Sequence, residues 1–165
     1  MTASVIALVG NPNCGKTTLF NALTGARQRV GNWPGVTVEK KTGQFEHAGQ
    51  SIEVVDLPGT YTLGSPDADG ALDERIAQSF LAAGTARLIV NIVDASNLER
   101  NLYLTAQLLE MHLPVVVALN MMDVAHDRQM RIDAEGLARR LGCPVVPIVA
   151  ARKRGIEALK DAVVA

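Results

Sequence analysis

Short apolar, β-branched runs recur along the chain at Ser4 to Val9, Ile52 to Val55, Leu88 to Val93, Val115 to Leu119 and Val145 to Val149. Each has the length of a strand, and continuous apolar character suits strands buried on both faces. Between most of these runs the apolar spacing changes to three and four. Leu98, Leu102, Ala106 and Leu109 mark a core-facing helix that Ser96 or Asn97 can cap. Ile132, Leu137 and Leu141 mark a second, with Asp133 as its candidate N-cap and Gly142 just past its end. Lys16 to Leu23 reads as a helix stopped by Gly25, and Ile156 to Val164 as the last helix. Strands alternating with helices predict a doubly wound α/β sheet, whose right-handed crossovers put the carboxyl ends of the strands on one edge.

One pair of runs breaks the alternation. Val38 to Glu46 and Gln50 to Asp56 are separated only by a few residues around His47-Ala48-Gly49, too few for a crossover, so they predict an antiparallel hairpin. The expected architecture is a mostly parallel six-stranded sheet with one antiparallel edge strand and helices on both faces. Gly31 to Gly35 and Thr62 to Asp73 show no period and are rich in loop formers. Flanking the hairpin, they are candidates for ligand-sensing switches, or ordinary surface loops.

Composition narrows the class. The chain has 165 residues, with 16 basic and 17 acidic side chains and a formal charge of -1. That length suits one domain with a full core, and that charge provides no broad positive field for nucleic acid. Cys14 and Cys143 belong to no Cys/His cluster and read as reduced thiols, while His47, His112 and His126 lack metal-ligand spacing. Met1 to Ser4 leads into a strand without a basic leader region, and the apolar runs are too short to span a bilayer. The chain stops at Ala165 just after a helical segment, so a fragment of a longer protein is expected.

Chemistry concentrates at strand ends. Gly10-Asn11-Pro12-Asn13-Cys14-Gly15-Lys16-Thr17 matches the G-x-x-x-x-G-K-[ST] phosphate loop in full, between a predicted strand and a predicted helix. In such a loop successive N–H groups converge on phosphate, and the helix N-terminus adds partial positive charge. Lys16 would reach the β and γ phosphates, Thr17 would offer a hydroxyl to Mg²⁺, and Thr18 continues the phosphate-binding set. The bland reading is a tight strand-to-helix turn with a solvated lysine. Asp56-Leu57-Pro58-Gly59 ends the hairpin, supplying an acid able to hold Mg²⁺ through water and a glycine N–H for the γ-phosphate. By itself it could be a turn opened by an aspartate. Gly35, Val36 and Thr37 lie in the first loop, where Thr37 is a candidate second Mg²⁺ ligand or a strand-start residue.

Asn120-Met121-Met122-Asp123 follows a strand at its carboxyl end. Asp123 can accept from N1–H and the exocyclic amine of guanine, a donor pair adenine lacks, so the residue favours GTP over ATP. Asn120 would brace neighbouring loops, Met121 would sit beside the base, and a backbone N–H of Ala150 or Ala151 could meet guanine O6.

With these motifs in order, the chain resembles the TRAFAC-class GTPases and, more narrowly, the cytosolic G domain of the bacterial ferrous iron transport protein B (FeoB) family. The likeness rests on Gly10 to Asn13, on Arg29 to Glu39 with its N-W-P-G-V-T core, on Asp56 to Tyr61, on Val93 to Tyr103 and on Asn120 to Asp123. It implies a GTPase with a slow intrinsic rate that uses Mg²⁺, on the cytoplasmic face of the inner membrane, joined to a membrane-embedded remainder of the same polypeptide that moves Fe²⁺. No nucleic-acid partner is implied, and oligomeric state is left open. Thr60 stands where many small GTPases place a glutamine, and is too short to orient water. The family pattern implies K⁺ instead, held by the Asn13 side chain and the carbonyls of Gly31 and Trp33, doing electrostatic work that an arginine finger elsewhere makes worth roughly 10³ to 10⁵ in rate. On this reading Asn13, Lys16, Thr37 and Gly59 form the catalytic set. Met121 replaces the usual lysine, which predicts weak GDP retention. The rivals are a soluble RNA- or ribosome-assembly GTPase and a non-catalytic nucleotide-sensing module.

Overall fold

The computed structural model describes residues 3–64 and 72–165. Its strands are β1 (Ser4–Gly10), β2 (Gln28–Asn32), β3 (Glu39–His47), β4 (Gln50–Asp56), β5 (Leu88–Asp94), β6 (Val115–Asn120) and β7 (Val145–Pro147). Its helices are α1 (Lys16–Thr24), α2 (Leu72–Ala82), α3 (Leu98–Glu110), α4 (Met122–Asp127), α5 (Ala134–Leu141) and α6 (Ile156–Val164), with 3-10 turns at Ala95–Asn97 and Ala150–Arg152. No helix among the described residues is long and apolar enough to cross a membrane.

One sheet holds all seven strands in the order β2-β3-β4-β1-β5-β6-β7. The five from β4 to β7 pair parallel, as their continuous apolar runs require, with Ile6 opposite both Val54 and Leu88. β3 pairs antiparallel with β4, confirming the hairpin, and again antiparallel with β2. The expected six strands are therefore seven, and the reversed strand is not the edge. β2 covers it and runs with the majority. Its sequence, Gln28-Arg29-Val30-Gly31-Asn32, contains one aliphatic side chain, and Val30 is 66% exposed, so no buried face marks it as a strand. Gly31, expected in a loop, is in this strand opposite Lys40.

Side chains of β1 alternate between two cores, as a period of two demands. Ile6 and Leu8 join Phe20 of α1 and Leu159 of α6 on one face, while Ala7 and Val9 join Leu81 of α2 and Leu104 and Leu108 of α3 on the other. Asp133 caps α5 by accepting from the Gly136 N–H at 3.0 Å, as its place before the apolar run predicts. The helix α2 was not expected: Leu72 and Asp73, assigned to the second loop, begin it. Of the rest of that loop assignment, 65–71 lie outside the described residues.

Candidate functional site

β1 delivers the chain to Gly10 at the carboxyl edge of the sheet. A Cβ there would lie 2.6 Å from Cys14 Sγ and 3.0 Å from the Ile92 carbonyl oxygen, so the loop must begin with glycine. Asn13 and Gly15 take positive φ, 67° and 93°, which wraps the backbone before α1 starts. Gly15 also lies against Asn120, whose amide nitrogen any Cβ would overlap. No side chain caps α1, so none of its first-turn N–H groups is taken by a capping side chain.

These residues open onto a cleft of about 410 Å³ lined by Asn11, Pro12, Asn13, Gly15, Lys16, Thr17, Thr18, Gly59 and Asp73. The structure thus brings Gly59 to the phosphate loop from a stretch more than forty positions away. The Thr60 N–H donates to the Gly10 carbonyl at 3.0 Å, and a Cβ on Gly59 would lie 3.3 Å from Pro12, which sets how closely the two segments pass. Lys16 Nζ donates to Asp56 Oδ1, with both side chains largely buried, forming a charged pair at the cleft floor. A smaller adjoining cleft is lined by that pair with Val38, Glu39, Lys41, Leu57, Pro58, Gly59 and Asp73. Asp73 gave no sequence signal, because it borders the loop with no period.

The first loop is placed otherwise. None of Gly31, Trp33, Gly35, Val36 and Thr37 lines the phosphate cleft, and Thr37 is exposed. Trp33 is 7% exposed and packs edge-to-face on Phe80 of α2, with ring centroids 5.7 Å apart and Lys40 Nζ 4.7 Å from its centroid. Its backbone N–H donates to the Val38 carbonyl at 2.9 Å, and its backbone carbonyl accepts from Val36 N–H at 3.2 Å. The donor set Asn13, Gly31 and Trp33 is therefore not assembled in this structure.

The opposite end is fully linked. Buried Asn120 donates from Nδ2 to the Cys14 carbonyl and accepts at Oδ1 from the Ala150 N–H, each at 3.0 Å. It bridges the phosphate loop to the 3-10 turn after β7, the bracing expected of it. Since Ala150 gives its N–H to Asn120, Ala151, which is exposed, is the alanine able to turn an amide toward a ligand. Met121 holds φ 62°, and Asp123 in the first turn of α4 accepts from Val124 N–H at 2.9 Å through one oxygen.

Two further features escaped sequence reasoning. Gln107 of α3 grips the second loop, accepting from Leu63 N–H and donating to the Leu63 carbonyl at 2.8 Å each. Asp94 accepts from the N–H and hydroxyl of Ser96 while Asn101 accepts the Asp94 N–H, which fixes the turn beside the loop. Burial pushes the Cys14 thiol up to about 11, which disfavours the thiolate that nucleophilic attack or metal ligation needs. No group of three or more metal-ligating His, Cys, Asp or Glu side chains occurs among the described residues.

A family model described as ferrous iron transport protein B matches residues 4–163. The chain belongs to the ferrous iron transport protein B family. It is 61% identical over 163 residues to the Fe(2+) transporter FeoB of Salmonella typhimurium, covering 99% of this chain and 21% of that protein. The chain thus spans about a fifth of the length of the curated relatives it matches. Among solved structures it is similar to the FeoB G-domain from Methanococcus jannaschii, at 48% identity and TM-score 0.86, covering 99% of this chain and 97% of that one. It is similar also to the cytosolic domain of T. maritima FeoB in its GMPPNP form, at 46% identity and TM-score 0.92, covering 98% of this chain and 62% of that one. The fold is that of a FeoB G domain.

Proposed function

We propose that this chain is a single GTP-binding and GTP-hydrolysing domain of a larger ferrous iron transporter, set on the cytoplasmic face of the bacterial inner membrane, with its membrane-embedded remainder carrying Fe²⁺. One observation carries the nucleotide reading: the phosphate loop, Lys16 and Gly59 line one cleft, the Lys16–Asp56 pair lines the cleft adjoining it, and Asn120 ties the phosphate loop to the turn holding Ala151.

The triphosphate enters along the N–H groups of residues 10 to 18, save Pro12, which has none. Lys16 exchanges Asp56 for the β and γ phosphate oxygens, and the released carboxylate and the Thr17 hydroxyl form an oxygen donor set suited to Mg²⁺. Held there by the Thr17 hydroxyl and, through water, by Asp56, Mg²⁺ would supply positive charge to offset that of the phosphates. Thr37 completes the set when the first loop moves in. Gly59 turns its N–H to the γ-phosphate. Water then attacks the γ-phosphorus in line, the bond to the β–γ bridging oxygen breaks, and GDP and inorganic phosphate leave. Thr60 offers no long side chain for orienting that water, and its hydroxyl donates instead to the Thr62 carbonyl at 2.7 Å. Potassium stimulation through Asn13, Gly31 and Trp33 requires the first loop to rearrange.

At the base, Asp123 selects guanine by accepting from N1–H and the exocyclic amine, and the Ala151 N–H meets O6. Adenine leaves the carboxylate unpaired. Calorimetric titration with Mg²⁺ present should give heat for GTP and GDP and none for ATP at matched concentrations, and phosphate release from GTP should be faster in KCl than in NaCl. Equal ATP affinity overturns the guanine assignment. Binding without any hydrolysis in either salt leaves a nucleotide-sensing module instead of an enzyme.

A further inference from the structure

Among the described residues, three buried side-chain polar atoms lack a hydrogen-bond partner, and two of them are the amide nitrogen and oxygen of Asn11. The residue is 4% exposed. A buried carboxamide with neither group paired is disfavoured, and a fold that only needed to fill this space would place an apolar side chain there. Asn11 borders two clefts at once. One is the phosphate cleft; the other, about 160 Å³, lies between the phosphate loop and the start of α3 and includes Tyr61, Asp94 and Arg100 in its wall.

Several polar groups around these clefts already have partners. Asp94 holds Ser96, Asn101 bridges the Asp94 N–H and the Asn97 carbonyl, and the Thr60 N–H and hydroxyl go to Gly10 and Thr62. The segment Gly59 to Tyr61 passes directly over the loop, with Gly59 against Pro12 and Tyr61 sharing the second cleft with Asn11. We propose that the Asn11 carboxamide is a positioning residue for hydrolysis: it hydrogen-bonds the backbone of Gly59 to Tyr61 when Gly59 turns to the γ-phosphate. Because Thr60 cannot orient water by side-chain reach, the setting of this backbone carries that task. The inference rests on the reading that GTP is bound and hydrolysed in this cleft.

The test compares wild type with Asn11→Leu, close in volume, and with Asn11→Ala, which cannot clash. Single-turnover GTP hydrolysis, GDP affinity and ligand-free thermal unfolding are measured for each. Both variants should lose at least tenfold in the hydrolysis rate while GDP affinity changes less than threefold, and Asn11→Leu should unfold at the same temperature as wild type or higher. Rates within twofold of wild type overturn the proposal, as does a rate loss matched by an equal loss of GDP affinity, which marks a merely structural role. Absence of hydrolysis in the wild type would instead bring down the enzymatic reading on which the proposal stands.

Discussion

The two ends of the cleft are built differently. At the base end the polar side chains are tied: Asn120 donates to the Cys14 carbonyl and accepts from Ala150, and Asp123 accepts from its own helix start. At the phosphate end the Asn11 carboxamide is buried without a hydrogen-bond partner and Lys16 is paired with Asp56, while in the first loop, outside the cleft, the Trp33 indole nitrogen is buried unpaired and Thr37 is exposed. Groups fixed beforehand provide affinity and selectivity without reorganisation. Groups that must exchange partners respond to what is bound. On the proposed reading, the base end recognises the purine and the phosphate end distinguishes a triphosphate from a diphosphate.

The largest expected effect comes from breaking the exchange. Lys16→Ala removes the phosphate contact and strands Asp56 at a site where its side chain is 9% exposed, so phosphate release should fall by about 10³ or more. A loss below tenfold would mean that Lys16 stays with Asp56 throughout the cycle. Next is selectivity: Asp123→Asn should cut the preference of GTP over ATP by about 10²-fold in competition binding, with thermal stability nearly unchanged.

Asn120→Ala tests the pre-built end itself. It leaves the Cys14 carbonyl and the buried Ala150 N–H unpaired, which should lower unfolding stability by about 1 to 3 kcal/mol in denaturant titration and weaken GDP and GTP equally. Selective weakening of GTP would place Asn120 on the responsive side.

The smallest effect is at Cys14, whose folded thiol sits at about 11 against an ordinary 9.0 because burial disfavours the thiolate. The folded state keeps the proton where the unfolded chain loses it, so this contribution to stability is complete below about pH 9 and is lost as pH rises toward about 11. Cys14→Ala should flatten that part of the stability profile, and iodoacetamide at pH 8 should leave Cys14 unmodified in the folded protein.

Where local pattern carries the information, the sequence is legible. The buried parallel strands advertise themselves by continuous apolar runs, the phosphate loop by spacing, and the Asn120 brace by its place after β6. Other parts depend on contacts between distant segments. β2 is held by pairing with β3 and has only Val30 to mark it, which faces out. Gln107 looks like any polar helix residue until Leu63 is laid against it. Trp33 reads as a loop residue, yet its ring inserts beside Phe80 because α2, itself unmarked, supplies the apolar wall.

Trp33 is the one tryptophan of the chain and lies at the base of the first loop, so its emission reports the responsive end directly. Fluorescence should be recorded with Mg²⁺ present, first with GDP and then with a non-hydrolysable GTP analogue. The account predicts that GDP leaves the buried-indole spectrum unchanged and that the analogue shifts it as the loop carries Thr37 toward the γ-phosphate. A shift of the same size with GDP, or none with the analogue at saturation, would contradict the division between a fixed base end and a responsive phosphate end.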